Sequence, residues 1–174
     1  SKPTRPLGKG CTGRPVRWMR RYSAVIRKHY GHRGGHILQY ISTRGGSLGQ
    51  YSDILLEGLA PNGGLAVPEA LPQLSSGDIE QWRSLTYPEL AAQVIGLFAT
   101  DISHDDLARL TAVAYGGGRF AAEEIVPLTA LNDQLTLVGL SEGPTLAFKD
   151  MAMQFLGEAL EHVLAQSDRV LNIL

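Results

Sequence analysis

Four segments in a fixed order limit what the C-terminal part of this chain can become. An apolar run, Leu135 to Leu140, is followed by a tight polar and glycine-containing loop, then by a strongly periodic run from Met151 to Ala165, then by a second apolar run, Val170 to Leu174. Strand, loop, helix, strand is a βαβ unit, whose crossover is almost always right-handed. Strands that are apolar nearly throughout suit a parallel sheet covered on both faces. Ligands of open parallel sheets bind in the crevice outside the carboxyl ends of the strands. The expected fold class is therefore α/β, and the place to look for chemistry is the loop Gly143-Pro144-Thr145-Leu146-Ala147-Phe148-Lys149-Asp150.

Lys149 enters the first turn of the expected helix. A helix N-terminus carries partial positive charge and disfavours an ammonium beside it, and burial behind Leu146, Ala147 and Phe148 would push the same way. A lysine tuned toward neutrality can attack a carbonyl and form a Schiff base, with a substrate or with pyridoxal phosphate. Asp150 is the carboxylate that a helix dipole prefers in a first turn. The same local pattern also suits a solvated lysine whose stem lies along the helix, and the residues alone leave both readings open. Thr145 has two readings as well, a hydroxyl offered to an anion or an ordinary turn residue.

Upstream, the chain reads as helical scaffold. Ser75-Ser76-Gly77 precede a short helical run, Asp78 to Leu85. Thr86-Tyr87-Pro88-Glu89 forms a capping box that launches a helix through Leu90, Val94, Ile95 and Phe98. Ser103 caps a third helix through Leu107, Leu110 and Ala114, stopped by Gly116-Gly117-Gly118. Those glycines resemble a phosphate cradle, but a cradle ends a strand and opens a helix, whereas these end a helix. The pairs Asp105-Asp106 and Glu123-Glu124 suggest acid–base work. Asp105 and Asp106 are better explained as dipole-facing carboxylates of a first turn. Trp82, Tyr87 and Tyr115 are expected to pack the helical layer.

The formal charge of −1 hides a division within the chain. Residues 1–36 hold ten of the sixteen Lys and Arg and no Asp or Glu; residues 37–174 hold the other six and all seventeen acids, a formal charge of −11. A basic arm with Trp18, Tyr22 and Tyr30 suits nucleic acid, and an acid-poor, Arg-rich leader suits organelle targeting. Its glycines and prolines argue against either a stable helix or an amphipathic signal. The preferred reading is a segment with no working role, an over-extended gene assignment or a cloning remnant. His29, His32 and His36 are loosely spaced for a metal, but the glycines between them leave no fixed geometry. The single Cys11 lies in the same segment, so residues 37–174 have no thiol chemistry, which fits a reducing compartment. No apolar run is long enough to cross a bilayer. The expectation is a cytoplasmic chain that binds neither membrane nor nucleic acid.

The string GPTLAFKD followed by an amphipathic helix resembles the cofactor-lysine motif of threonine synthase, a pyridoxal-phosphate enzyme of the tryptophan-synthase-β-like superfamily. Tyr40-Ile41-Ser42-Thr43-Arg44-Gly45 is similar to the start of that family's bacterial chains. Gly58-Leu59-Ala60, Gly63-Gly64-Leu65 and Val67-Pro68-Glu69 are similar to its next signature. The resemblance runs from Leu38 to Leu174. It implies a helical N-terminal region plus the first βαβ unit of a fold-type II enzyme, with residues 1–37 outside the family pattern, 38–131 as the N-terminal region and 132–174 as the start of the cofactor domain. It also implies pyridoxal 5'-phosphate held by Lys149, and a carbon–oxygen lyase that converts O-phospho-L-homoserine and water to L-threonine and phosphate. Lys149 is the one catalytic and cofactor-binding residue it assigns; the phosphate loop and the partner of the ring nitrogen are absent, so the chain is expected to be an incomplete, inactive piece of the enzyme. The alternative is a non-catalytic threonine-synthase-like remnant. Two departures bear on activity. Ser141-Glu142 stand where the family usually has an aromatic residue and a histidine, and Ala66 stands where it usually has an aromatic. A glutamate near an anionic cofactor and a phosphorylated substrate is repulsive at short range. Oligomeric state is not encoded in these motifs.

Overall fold

The computed structural model describes residues 37–167 and 169–171. The expectations for residues 1–36, including the basic arm, Cys11 and the three histidines, lie outside the described residues. The elements run β1 (Tyr40–Ser42), β2 (Ser47–Gly49), α1 (Tyr51–Glu57), β3 (Ala66–Pro68), α2 (Ser76–Trp82), α3 (Tyr87–Gly96), α4 (His104–Tyr115), β4 (Leu128–Asn132), β5 (Leu135–Val138) and α5 (Asp150–Ala165). The class is α/β, with helices dominating the N-terminal region.

β1 is the centre of a small antiparallel sheet of order β2-β1-β3, in which Tyr40, Ile41 and Ser42 face Pro68, Val67 and Ala66. Asn62 is its hub. Its amide oxygen accepts from the buried Ser42 hydroxyl at 2.7 Å and from Gly64 N–H at 3.0 Å, and its amide nitrogen donates to the Gly45 carbonyl at 2.9 Å. Thr43 and Leu65 close the same seam, N–H to carbonyl at 2.9 Å and N–H to hydroxyl at 3.0 Å. The two N-terminal sequence motifs are thus halves of one turn assembly, and their shared polar residues satisfy backbone groups that short strands leave open.

The helices start where side chains supply the first-turn acceptors. Thr86 N–H and Thr86 hydroxyl both donate to Glu89 at 2.8 Å, and Pro88 sits in the first turn of α3. Ser103 accepts from Asp106 N–H at 3.1 Å and donates to the Asp106 carboxylate at 2.6 Å. α4 ends at Gly116, with Gly117 and Gly118 at φ 67° and 73°, so the glycines are the expected helix stop. Arg119 beyond them is held by Gln154 and Glu158 of α5. α2 is shorter than expected and begins at Ser76, because Ser75 and Asp78 form a capping box.

α4 contacts both α3 and α5, and the core forms there. Leu107, Leu110, Ala114 and Ala159 are at most 1% exposed and cluster with Ala92, Ile102, Tyr115, Phe120 and Phe155. Small side chains at Ala114 and Ala159 leave room for close backbone approach. Tyr87 and Tyr115 meet edge to face, with centroids 5.0 Å apart at 82°, the geometry ring quadrupoles favour. Trp82 is half-buried and takes no place in this cluster.

The apolar runs expected to be buried parallel strands behave differently. The first forms β5, which ends at Val138 and pairs antiparallel with β4, Leu128 opposite Val138 and Thr129 opposite Leu137. Asp133-Gln134 makes the turn, the side chain of the preceding Asn132 accepting from Gln134 N–H at 2.9 Å. Both strands are exposed along their whole length. Of the second run, Val170 and Leu171 are irregular and residues 172–174 lie outside the described residues. The helix between them is present over Asp150–Ala165, as its periodicity requires.

Candidate active site

The loop Gly143–Asp150 is a chain of tight turns. Gly143 carbonyl accepts from Leu146 N–H at 3.0 Å, Ala147 carbonyl from Asp150 N–H at 3.0 Å, and Phe148 carbonyl from Met151 N–H at 3.2 Å. Leu146 holds a left-handed φ of 59°, a conformation that costs a branched side chain about 1–3 kcal/mol and persists only where surroundings impose it.

What imposes it is Asp150. Its carboxylate is turned inward and the residue is only 3% exposed. One oxygen accepts from Thr145 N–H at 2.8 Å and the other from the Thr145 hydroxyl at 2.9 Å. Both polar groups of Thr145 are thereby spent on an internal carboxylate, which favours the turn reading of that residue over the anion-binding one. Gly143 packs against the same carboxylate so closely that a Cβ there would lie 2.7 Å from Asp150 Cγ.

Lys149 stands between this closed loop and α5, with helical angles of φ −60° and ψ −27°. Its carbonyl accepts from Ala152 and Met153 N–H at 3.0 and 2.9 Å, so its backbone is already part of the first turn. The side chain is exposed and borders an open groove of about 370 Å³ lined by Tyr87, Leu140, Phe148, Lys149, Met151, Ala152 and Met153. Lys149 is the only charged residue of that lining, and no described carboxylate pairs with it. The expected apolar shield does not form. Leu146 and Phe148 are 71% and 67% exposed, because no described element covers this side of the loop.

Tyrosines back the groove. Tyr115 donates to the Met151 carbonyl at 2.8 Å and so ties α4 to the first turn of α5. Burial, reinforced by Tyr87, holds the Tyr115 hydroxyl far above the usual phenol range, and burial also raises that of Tyr87. Tyr87 was expected only as packing; its place on the groove wall follows from α3 lying beside the helix start, a contact no local pattern encodes.

The other candidates resolve elsewhere. Asp106 is a cap partner: the Ser103 hydroxyl, and to a smaller extent Arg109 and His162, hold its carboxyl below the usual range against the opposing effect of burial. Glu123 and Glu124 are exposed and do not border the groove. Glu142 is half-buried beside the loop, and its carbonyl accepts from Ala121 N–H at 2.7 Å. No residue of the two N-terminal motifs lines the groove. Among the described residues no cluster of three or more His, Cys, Asp or Glu is placed to hold a metal, and no helix is long and apolar enough to cross a membrane.

Residues 39–115 match the family described as threonine synthase N terminus, which gives the class of the helical region. The chain is 49% identical over 143 residues to the threonine synthase of Corynebacterium glutamicum, a match covering 79% of this chain and 30% of that protein. Its structure is similar to that of the pyridoxal-phosphate-bound threonine synthase of Brucella melitensis, with a TM-score of 0.69 at 39% identity, covering 74% of this chain and 28% of that one. It is also 36% identical over 140 residues to the threonine synthase-like 2 protein of Xenopus laevis, covering 79% of this chain and 29% of that protein. Residues 39–115 thus match the N-terminal region of the threonine synthase family, and the chain is similar to threonine synthases over 79% of its length. It spans about 30% of the length of the relatives it matches.

Proposed function

We propose that this chain supplies the N-terminal layer and the cofactor lysine of a threonine synthase, a carbon–oxygen lyase that converts O-phospho-L-homoserine and water to L-threonine and phosphate. The observation that carries the reading is the state of Lys149: a primary amine with no described carboxylate partner, opening on a ligand-sized apolar groove. The neighbouring Asp150, which would otherwise neutralise it, is committed to Thr145. These residues fit pyridoxal 5'-phosphate at its aldehyde end. When bound, that group supplies an electron sink for carbanions next to the substrate nitrogen. Lys149 would hold it covalently through Nζ. Its amine would also be the group that takes and returns protons at substrate carbons. Phe148, Met151 and Met153 line the groove with apolar surface.

The test is reductive trapping. The 174-residue chain is incubated with pyridoxal phosphate, reduced with borohydride and mapped by peptide mass spectrometry. The chain has four lysines, Lys2, Lys9, Lys28 and Lys149, so three serve as internal references. Preferential labelling of Lys149 is expected, and labelling in proportion to exposure would contradict the reading. A second reading, a threonine-synthase-like protein without this activity, is favoured by Glu142 beside the lysine loop and by the likeness to threonine synthase-like 2.

A further inference from the structure

The buried carboxylate of Asp150 has no role in the reading above beyond leaving Lys149 free. Its geometry asks for more. A carboxylate is costly to bury unless its oxygens are satisfied, and this one is satisfied by a single residue five positions upstream. The two bonds from Thr145 close a loop over Leu146, Ala147, Phe148 and Lys149. Inside that loop Leu146 is held at φ 59°, a conformation the residue would leave if released. The loop ends at Lys149, whose own angles are helical. Gly143 completes the arrangement, since any side chain there would collide with the carboxylate and displace it.

We propose that Asp150 and Thr145 form a clasp that positions Lys149, fixing the backbone from which its amine reaches the groove. Asp150 is a positioning residue in this account. It touches neither substrate nor cofactor, and it acts on the reacting nitrogen only through the loop it closes. Released from the clasp, residues 146–148 relax and the Lys149 stem samples directions away from the groove, so the amine remains present but is no longer presented. Small misplacements of a reacting group carry large rate penalties, which makes a two-bond clasp one residue from the amine an effective control point.

The inference rests on the reading of Lys149 as the cofactor lysine, and the experiment separates the two. Pyridoxal-phosphate trapping is run on the intact 174-residue chain and on the variants Asp150→Asn, Thr145→Val and Thr145→Ser. Labelling of Lys149 is expressed relative to Lys2, Lys9 and Lys28 in the same molecule, and far-ultraviolet helix signal is recorded for each variant. Asp150→Asn replaces an acceptor with a donor facing Thr145. Thr145→Val removes one bond at nearly constant volume, and Thr145→Ser restores it. The expected result is that relative labelling of Lys149 falls roughly tenfold in Thr145→Val, the order that one lost hydrogen bond to a charged group amounts to. It falls further in Asp150→Asn and returns in Thr145→Ser, with helix signal unchanged in the two threonine variants. Selective labelling in the wild type that persists undiminished in Thr145→Val and Asp150→Asn would overturn the clasp and leave the cofactor reading standing. Equal labelling of all four lysines in the wild type would overturn the cofactor reading and, with it, this role for Asp150. A loss of labelling in Thr145→Ser equal to that in Thr145→Val would also count against the clasp, since the hydroxyl bond is then not what matters.

Discussion

Gly143→Ala isolates the contact on which the lysine loop depends. Gly143 has no left-handed φ, so alanine is compatible with its backbone, and the substitution by itself would stabilise slightly, by about 0.4–1 kcal/mol, through the unfolded chain. The opposing effect is steric. The new Cβ would overlap Asp150 Cβ and lie 2.7 Å from its Cγ, well inside van der Waals contact, so residue 150 must draw away from the loop and carry its carboxylate with it. A shift of about 0.7 Å takes bonds of 2.8 and 2.9 Å beyond useful hydrogen-bond length. Each such bond to a charged group contributes about 1.5–3 kcal/mol. Losing one therefore lowers the local opening free energy at Thr145 enough to speed its amide exchange roughly ten- to hundredfold. Hydrogen exchange followed by NMR reads this directly, with the amides of Leu110 and Thr111 in the buried face of α4 as references that should not change. In an Asp150→Gly background the same alanine meets neither Cβ nor carboxylate and should accelerate Thr145 exchange no further. An unchanged Thr145 rate in Gly143→Ala would refute the reasoning, as would equal acceleration in both backgrounds.

Three further outcomes follow from the same structure. Leu110→Ala, at a site 1% exposed between helices, should destabilise the helical layer by about 2–5 kcal/mol, read as a lower urea midpoint of the helix signal; a midpoint within error of wild type would show that the site collapses around the cavity. His104 is held below its ordinary 6.5 by burial, against the smaller opposing pull of Asp105, so the unfolded chain takes up that proton before the folded one does. Its contribution to stability is complete above about pH 6.5 and is lost as pH falls through the lowered folded value, so His104→Gln should flatten the dependence of the urea midpoint between about pH 7 and pH 5. Leu128, Leu137 and Val138 are more than half exposed on a hairpin whose outer edges are unpaired among the described residues, and such edges template association. Wild-type chain is expected to self-associate in sedimentation velocity at micromolar concentration, and Leu137→Lys to reduce this; equal behaviour of the two would place the association elsewhere.

The elements that a few local residues specify were readable in advance. Thr86 with Glu89, and Ser103 at the head of α4, announce their helices because the cap is made by side chains three residues apart. Gly116 to Gly118 announce a stop for the same reason of locality. The two N-terminal motifs of the family resemblance are turns, and the structure shows what joins them: Ser42 bonds to Asn62, Asn62 to the Gly45 carbonyl, and Thr43 to Leu65. The hairpin was not readable as such. A short apolar run looks alike whether its neighbour is parallel or antiparallel, and the Asp133-Gln134 turn that joins β4 to β5 holds no glycine to mark it. The inward turn of Asp150 was equally hidden, because an acidic residue in a first turn reads as dipole-facing whether it meets water or Thr145. The openness around Lys149 depends on what does not cover it, which no local pattern records.

The central claim is that this chain brings the cofactor lysine to a threonine synthase, and a chimera tests it most directly. Residues of this chain replace the matched 143-residue part of the Corynebacterium glutamicum enzyme, and the purified protein is assayed with O-phospho-L-homoserine for threonine and phosphate released in equal amounts. The account predicts turnover that disappears in Lys149→Ala while the fold is retained. Turnover that survives Lys149→Ala, or a folded chimera that binds pyridoxal phosphate and yet makes no threonine, would contradict it.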